Sequence, residues 1–466
     1  MKLTIHGAAQ TVTGSQHLLE VNGKKLLLDC GLFQGGRGDT YERNRNFAYP
    51  VDSLDAMILS HGHIDHSGNL PHLIKNGYGG PIYTTPATKD LSDVMLRDSG
   101  HIQEADAEFV NKHRARRGEP PIEPLYTLED AARVNQYIQP IAYNQSFEPI
   151  PGVTATLVDA GHILGSAAVI LDIDEPGRKR TRLWFSGDIG RRNMPLLRDP
   201  VLPENADYLL MECTYGDKPH EDPELAFGEF RDCVVRTIKR RGKVIVPAFA
   251  VGRTQELVYQ LHHMADDGDL PRNVPVFVDS PLAVHTTDVY LKHPECLDAD
   301  THAFIKDQTH PALYFDQLTY VQSVEESKSI NDLKGPAIII SASGMAETGR
   351  ILHHLKNNIE NPNNTILIVS WQAPDTLGRR LADREKRVRI FGEEYQRRAE
   401  VDTIGGLSAH AGQTGLVTYA CATQPTVKKI ILVHGEPGPA QALTIKLGEN
   451  GMHNIAYPKP HETLEL

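Results

Sequence analysis

Three histidines and one aspartate lie within six consecutive positions of the chain, directly after the apolar run Ala56-Met57-Ile58-Leu59. The apolar run predicts a buried strand, and Gly62 would let the chain turn sharply behind it. The first two histidines could then point to one centre, and the aspartate and the last histidine to another. Imidazole and carboxylate together favour a divalent metal, zinc before any other. The motif reads His61-Gly62-His63-Ile64-Asp65-His66.

The alternative to a metal site is a polar loop whose histidines cap the next helix. By composition alone, a chance motif of this kind is expected about 0.006 times in the chain, which favours the metal site. These four side chains cannot complete two metal sites. Further ligands must therefore come from elsewhere in the sequence.

Single polar residues at the ends of other predicted strands could supply them. His162 lies in a glycine-flanked loop after the strand 153–160, and Asp188 follows the apolar run 182–185. Each alone is more often a turn residue. Together they add one imidazole and one carboxylate able to bridge two ions. Asp29 also ends a buried strand, and near a metal it would orient a ligand histidine by accepting a hydrogen bond from its ring N–H.

Three more polar residues follow apolar runs later in the chain. Glu212 ends a buried strand, where a charge is costly unless it is paired. His410 lies in a loop, and His434 ends the run Ile430-Ile431-Leu432-Val433. Taken singly, each of these two histidines is more typical of a capping or hydrogen-bonded structural residue.

Composition describes an ordinary globular protein, and 466 residues predict two domains. The net charge of −12 argues against binding nucleic acid over the whole surface, although basic clusters such as Arg379-Arg380 leave a local site open. No apolar run approaches the length of a membrane span. The five cysteines are scattered and odd in number, which predicts neither a disulfide framework nor a cysteine metal site and favours a cytoplasmic protein.

The pattern of apolar runs changes along the chain. Residues 1–31 predict mostly strands, and from about residue 220 strands alternate with helices. That alternation predicts a mostly parallel sheet with helices on both faces. Loops rich in serine and glycine at the ends of such strands can bind phosphate, with simple turn formation as the alternative.

The order of the polar residues resembles a known family. Asp29, the motif at 61–66, His162 and Asp188 resemble the metallo-β-lactamase fold. The remaining three residues resemble the further motifs of its β-CASP branch, which includes the endonuclease subunit of the pre-mRNA cleavage and polyadenylation machinery and its bacterial and archaeal relatives. The similarity covers essentially the whole chain. It implies an α/β fold with two domains. Residues 1–212 and 397–466 would form the metallo-β-lactamase domain, an αββα sandwich. Residues 213–396 would form the inserted β-CASP domain, a mostly parallel sheet flanked by helices.

The resemblance also implies a role for each residue. One zinc ion would be bound by His61, His63 and His162, and a second by Asp65, His66 and His434, with Asp188 bridging the two. Asp65, Glu212 and His410 are predicted to be catalytic, with His410 as general acid paired to Glu212, and Asp29 supports the ligands. Candidates for holding substrate phosphate are the amides around Ser343-Gly344 and Ser408-Ala409, assisted by Arg253 and Arg350.

Two zinc ions of this kind suit hydrolysis of a phosphodiester, since they can activate water and stabilise the attacking and leaving oxygens. In this family a histidine at the position of His434 accompanies RNA cleavage, so the predicted partner is single-stranded RNA. A small-molecule ester or thioester hydrolase on the same fold and a non-catalytic partner of a nuclease are the alternatives. The sequence does not distinguish endonuclease from 5′-to-3′ exonuclease action, or zinc from manganese as the metal. It also does not decide whether the protein forms a homodimer.

Overall fold

The computed structural model describes residues 1–35, 37–307 and 310–466. By its internal contacts the chain divides into two compact units. Unit 1 comprises Met1–Arg192, Asp199–Pro219 and His410–Leu466, and unit 2 comprises Asn193–Arg198 and His220–Ala409. The predicted domain ranges, 1–212 with 397–466 and 213–396, remain a proposal.

Strands dominate the first stretch of unit 1. Its strands, in chain order, are β1 (Lys2–Ile5), β2 (His17–Val21), β3 (Lys24–Leu28), β4 (Ala56–Ile58), β5 (Ile82–Thr84), β6 (Ile138–Pro140), β7 (Ser146–Ile150), β8 (Val153–Asp159), β9 (Ala167–Ile173), β10 (Thr181–Phe185) and β11 (Tyr208–Glu212). Its α-helices are α1 (Arg37–Arg45), α2 (Ile64–Ser67), α3 (Leu70–Lys75), α4 (Pro86–Arg116) and α5 (Leu128–Arg133).

Unit 2 alternates strand and helix over most of its length. Its strands are β12 (Lys243–Pro247), β13 (Val276–Val278), β14 (Leu318–Tyr320), β15 (Ala337–Ser341), β16 (Thr365–Ile368), β17 (Arg387–Ile390), β18 (Glu393–Gln396) and β19 (Glu400–Thr403). Its α-helices are α6 (Pro223–Lys239), α7 (Arg253–Asp266), α8 (Pro281–Lys292), α9 (Ala299–Asp307), α10 (Val324–Asp332), α11 (Ile351–Asn358) and α12 (Leu377–Ala382).

The last residues return to unit 1 and complete its two sheets. They form α13 (Gln413–Cys421), β20 (Lys429–Val433), α14 (Pro437–Glu449), β21 (Ile455–Ala456) and β22 (Glu462–Glu465). One seven-stranded sheet has the order β22-β1-β2-β3-β4-β5-β6, and the other has the order β21-β20-β11-β10-β9-β8-β7. Both contain neighbouring parallel strands, among them β3 with β4 and β10 with β11 and β20.

Side-chain alternation along the strands explains the layers of unit 1. In β10, Leu183 and Phe185 join the apolar core shared by the two sheets, while Trp184 points to the other face. In β3, Leu28 faces the same shared core and Leu27 faces outward. Helices α3 to α5 cover the outer face of the first sheet, and α13 and α14 cover that of the second. The predicted αββα arrangement is confirmed.

The main sheet of unit 2 has the order β14-β13-β15-β12-β16-β19, and all of its pairs are parallel. This confirms the predicted parallel sheet, which the buried runs of isoleucine and valine indicate. Strands β17 and β18 form a separate antiparallel hairpin. Among the described residues, no helix is long and apolar enough to cross a membrane.

Candidate metal centre

The polar residues singled out in the sequence lie at strand ends in unit 1. Asp29 follows β3, the motif at 61–66 runs from the end of β4 into α2, and Asp188 follows β10. Glu212 is the last residue of β11, and His434 follows β20. Because β10, β11 and β20 are parallel neighbours, their carboxyl ends carry these side chains to one edge of the sheet.

Three imidazoles form the first ligand group, and Asp188 approaches it. His63 Nδ1 lies 3.1 Å from His61 Nε2 and 3.2 Å from His162 Nε2. Asp188 Oδ2 lies 3.6 Å from His61 Nε2 and 3.5 Å from His162 Nε2. These four residues together form a group that could hold a metal ion.

The second ligand group consists of Asp65, His66 and His434. His434 Nε2 lies 3.3 Å from His66 Nε2 and 3.4 Å from Asp65 Oδ2. The second oxygen of Asp188 approaches this group, since Oδ1 lies 3.2 Å from His66 Nε2 and 3.4 Å from His434 Nδ1. One carboxylate therefore presents an oxygen to each group, as a bridging ligand would.

The spacing of the donor atoms fits a tetrahedral metal. With zinc–nitrogen bonds of about 2.0–2.1 Å, the ligand atoms at the corners of a tetrahedron lie about 3.3–3.4 Å apart. The separations within both groups bracket that value. Asp188 Oδ1 is also buried and accepts no hydrogen bond from any described residue, although two imidazole nitrogens are near it. Such an oxygen suits a bond to a metal.

Burial keeps the first three imidazoles in the form that binds metals. It lowers the pKa of His61 and His162 well below the usual value, and it lowers the pKa of His63 to about 4. A neutral imidazole has a free lone pair for a metal. For Asp188, burial opposes ionisation, but the charges of His434, His66 and His410 outweigh it and hold its pKa well below the usual value.

Asp29 fixes the ligands from behind. Its Oδ2 lies 2.7 Å from His66 Nδ1 and accepts a hydrogen bond from the Ser60 hydroxyl at 2.9 Å, while Oδ1 accepts from the Ser60 backbone N–H at 2.8 Å. Ser15 Oγ donates to Oδ2 at 3.1 Å. The carboxylate thus leaves His66 Nε2 as the nitrogen that faces the centre.

The sequence reasoning missed two hydroxyl residues that contact ligand histidines. Ser60 Oγ lies 3.1 Å from His61 Nδ1, and Thr214 Oγ1 lies 3.1 Å from His434 Nδ1. Each lies two residues beyond a strand end and within two residues of a predicted site residue, Ser60 beside His61 and Thr214 after Glu212, and this closeness in sequence could have indicated them. The φ of Gly62 is not left-handed, so the turn there does not depend on a conformation reserved for glycine. A Cβ there would lie 3.3 Å from Leu91 Cγ, so the glycine allows close packing on α4.

Glu212 and His410 form a pair next to the ligands. His410 Nδ1 lies 3.0 Å from Glu212 Oε1, and His410 Nε2 lies 3.9 Å from Asp188 Oδ2. Burial lowers the pKa of His410, but the charges of Glu212 and Asp188 and the hydrogen bond with Glu212 raise it to about 9. His410 can therefore hold a proton at neutral pH. Asp188, Glu212 and His410 also form a third group with metal-ligand spacing.

The predicted phosphate-binding residues lie in unit 2. Ser343 and Gly344 occupy the loop after β15, and Ser408 and Ala409 end the unit. Arg253 is buried and pairs with Glu256, and Arg350 donates to Asp279 Oδ1 at 2.6 Å. Both guanidinium charges are therefore matched by carboxylates within unit 2, and their contact with substrate remains a prediction.

Comparison with known families gives three matches along the chain. The "Metallo-beta-lactamase superfamily domain" matches residues 18–175, the "Beta-Casp domain" matches residues 254–381, and the "Zn-dependent metallo-hydrolase RNA specificity domain" matches residues 394–458. The first contains the motif at 61–66 and His162. The third contains His410 and His434.

Two curated proteins are similar over nearly the whole chain. Ribonuclease TTHA0252 from Thermus thermophilus is 36% identical over 449 residues, which are 95% of this chain and 95% of that protein. Transcription termination factor FttA from Pyrococcus abyssi is 32% identical over 489 residues, which are 100% of this chain and 71% of that protein. A crystal structure of a protein of unknown function from Enterococcus faecalis V583 matches with a TM-score of 0.55 at 14% identity, covering 100% of this chain and 99% of that one, and shows the fold alone.

Proposed function

Because the chain belongs to the β-CASP branch of the metallo-β-lactamase superfamily, we propose that it is a two-zinc ribonuclease that hydrolyses phosphodiester bonds of single-stranded RNA. Membership makes it a metal-dependent hydrolase of a nuclease family. The observation that carries the proposal is the arrangement of two ligand groups around the two oxygens of Asp188, beside the Glu212–His410 pair.

The two ligand groups would each hold one zinc ion. Bound ions of this kind polarise a phosphoryl oxygen and acidify a water molecule, which phosphodiester hydrolysis at neutral pH requires. The donor set is nitrogen and carboxylate oxygen in both groups, and zinc suits that mixture better than magnesium or calcium, which prefer oxygen. Asp65 would bind the ion of the second group and would supply a negative charge there.

His410 would supply the proton for the leaving oxygen. Glu212 Oε1 is close to Nδ1, and this leaves Nε2 on the side of Asp188. The Glu212 carboxylate raises the pKa of His410, so the imidazole can hold a second proton and give it from Nε2 as the bond from phosphorus to the leaving oxygen breaks. Glu212 then stabilises the orientation of the ring and acts through His410.

Three observations support RNA as the substrate. The relative from Thermus thermophilus is named a ribonuclease, and the one from Pyrococcus abyssi is named a transcription termination factor. The family whose description includes RNA specificity matches residues 394–458. His434, the residue that accompanies RNA cleavage in this family, lies within that range. The proposed phosphate contacts are Ser343, Gly344, Ser408 and Ala409. The scattered free cysteines favour a protein that acts in the cytoplasm.

The test uses purified protein with zinc added or with the metals chelated, and single-stranded RNA labelled at the 5′ or the 3′ end. We expect cleavage that requires zinc and is lost in His410→Ala protein. Internal cutting gives a ladder from both labels, whereas 5′-to-3′ trimming releases the 5′ label as mononucleotide. Single-stranded DNA of the same sequence should be cut much more slowly.

Intact RNA from a protein shown to hold two zinc ions would overturn the proposal. Hydrolysis of small esters or thioesters by that same preparation would then identify a small-molecule hydrolase on this fold. A preparation that holds no metal and cleaves neither class of substrate would point to a non-catalytic nuclease partner.

A further inference from the structure

Two large aromatic rings are exposed at one edge of the main sheet of unit 2. Phe249 is 44% exposed and Trp371 is 59% exposed in the folded chain. Phe249 lies two residues beyond the end of β12, and Trp371 lies three residues beyond the end of β16. Single exposed apolar residues are ordinary, but two planar rings at the same edge of one sheet form a surface that needs an explanation.

The register of the strands brings the two loops side by side. β12 and β16 are parallel neighbours, with Val244 opposite Thr365 and Ile245 opposite Ile366. Both rings therefore leave the carboxyl edge of the sheet from adjacent strands. In open parallel sheets this edge is where ligands bind.

The loops that carry the rings contact the loop after β15. A Cβ on Gly344 would lie 3.1 Å from Phe249 Cδ2, so the absence of a side chain there lets the Phe249 ring lie against the loop. The Gln372 side chain, next to Trp371, is 5% exposed and donates from Nε2 to the Gly344 carbonyl at 3.0 Å. Thr254 Oγ1 donates to the Phe249 carbonyl at 2.7 Å. Hydrogen bonds and close packing therefore hold the backbone that carries both rings.

A basic residue follows the second ring. α12 begins six residues after Trp371 and exposes Arg379 and Arg380. Arg379 pairs with Asp383 at 2.8 Å, whereas no carboxylate of the described residues lies within 4.0 Å of the Arg380 guanidinium. Exposed planar rings and an unmatched cation are the elements that bind single-stranded nucleic acid, because bases stack on the rings and phosphates pair with the cation.

We propose that Phe249 and Trp371 form a base-stacking surface that holds the unpaired bases of single-stranded RNA, with Arg380 contacting its phosphates. The inference rests on the proposed function for the identity of the nucleic acid. Stacking uses the face of the base and not its hydrogen-bonding edge. The surface therefore selects unpaired strands over duplexes and discriminates little among base sequences.

Tryptophan fluorescence can report on this surface directly. The chain has two tryptophans. Trp184 is 2% exposed and donates to Tyr419 Oη at 2.7 Å, so a base cannot reach it, and a base stacked on Trp371 should quench the emission of that ring alone. His410→Ala protein is titrated with short oligoadenylate or oligouridylate and, separately, with an abasic ribose-phosphate oligomer of equal charge. Cleavage of labelled RNA by the unaltered protein is measured in parallel.

We expect quenching by both oligonucleotides and none by the abasic oligomer. The variants are compared by the fluorescence anisotropy of a dye-labelled oligonucleotide, which does not depend on Trp371 emission. Trp371→Leu should weaken oligonucleotide binding about tenfold, Trp371→Tyr should restore most of it, and Phe249→Leu should also weaken it. The matched control is Phe391→Leu, which alters another exposed ring of unit 2, in the turn between β17 and β18. That variant should bind as the unaltered protein does.

The outcomes separate this inference from the proposed function. RNA cleavage without quenching, or equal losses in Trp371→Leu and Phe391→Leu, overturns the stacking surface and leaves the ribonuclease. Quenching without RNA cleavage supports the surface and overturns the ribonuclease. A change of oligomeric state in Trp371→Leu, seen by sedimentation without loss of oligonucleotide binding, overturns the inference and assigns the rings to a contact between copies of the chain.

Discussion

The imidazole of His410 is oriented by Glu212, because His410 Nδ1 lies 3.0 Å from Glu212 Oε1. Glu212 is itself fixed, since Oε1 accepts a hydrogen bond from the Ile189 N–H at 2.7 Å and Oε2 accepts one from the Thr214 N–H at 3.3 Å. Glu212 is completely buried. The pair is therefore a preformed unit in which only the Nε2 side of His410 is directed towards the ligand groups.

The first prediction is that His410→Ala lowers kcat for RNA cleavage about 10²- to 10⁴-fold, which is the usual contribution of a positioned general acid. Both metal ions should remain, because the ligand groups are complete without His410. Metal content per chain and single-turnover cleavage rates check this. His453→Ala, at an exposed histidine of the same unit, should leave both quantities unchanged.

The third group with ligand spacing offers a different role for His410, as a metal ligand with Glu212. Loss of a metal ion from His410→Ala protein would support that role and contradict the general acid. Glu212→Gln sharpens the distinction, because it keeps the shape of the side chain and removes its charge. It should slow cleavage less than His410→Ala and retain both ions.

The second prediction concerns His434, whose Nε2 lies 3.3 Å from His66 Nε2. His434→Ala should lower the metal content from two ions to one per chain, since the second group loses an imidazole while the first keeps its three. Cleavage should fall at least as far as in His410→Ala. Elemental analysis of the dialysed protein measures the number of metal ions per chain. Two tightly held ions in the variant would contradict the assignment of His434 as a ligand.

The third prediction concerns Asp29, whose carboxylate accepts hydrogen bonds from Ser15, Ser60 and His66. Asp29→Asn replaces one acceptor oxygen by a donor, so the arrangement that orients His66 is lost. Metal affinity should weaken about 10- to 100-fold, as is usual for partners of ligand histidines. Competition with a coloured chelator measures the affinity. Ser60→Ala should have a smaller effect, and an unchanged affinity in Asp29→Asn would contradict a supporting role.

Much of the centre could be predicted from the sequence because the ligands sit at strand ends. A buried run followed by a polar residue, as at Glu212 and His434, marks both the end of a strand and a side chain at the sheet edge. The three-dimensional proximity of these ends could not be derived from periodicity, since the order of strands in a sheet is not written in any single strand. The family resemblance supplied that step.

The partners of the arginine side chains could not all be predicted from the sequence. Arg253 begins α7 and Arg350 directly precedes α11, which are positions typical of phosphate binding, yet each is paired with a carboxylate. Glu256 could have been suspected for Arg253, since residues three apart on a helix are neighbours. Asp279 could not, because it lies 71 positions from Arg350.

Asp279 is also the centre of a buried polar network in unit 2. Its Oδ2 accepts hydrogen bonds from Ser327 Oγ at 2.5 Å and His354 Nε2 at 2.6 Å, and its Oδ1 accepts from Arg350 Nη1 at 2.6 Å. Burial raises the pKa of the carboxyl, but these hydrogen bonds outweigh burial and lower the pKa below its usual value. The network ties β13 to residues of α10 and α11 and to the residue that precedes α11.

The last prediction follows from that lowered pKa. A carboxyl that is more acidic in the folded than in the unfolded state stabilises the protein above the unfolded pKa of about 3.9, and this contribution is lost as pH falls through the lower, folded pKa. Asp279→Asn should therefore lower the free energy of unfolding of unit 2 by about 3–5 kcal/mol at pH 7, because it leaves the Arg350 charge unmatched. The difference from the unaltered protein should shrink as the pH approaches about 3. Urea titrations followed by tryptophan emission measure both quantities once the Trp184 signal of unit 1, obtained from Trp371→Leu protein, has been subtracted. A difference that stays constant with pH would show that Asp279 acts through packing and not through its charge.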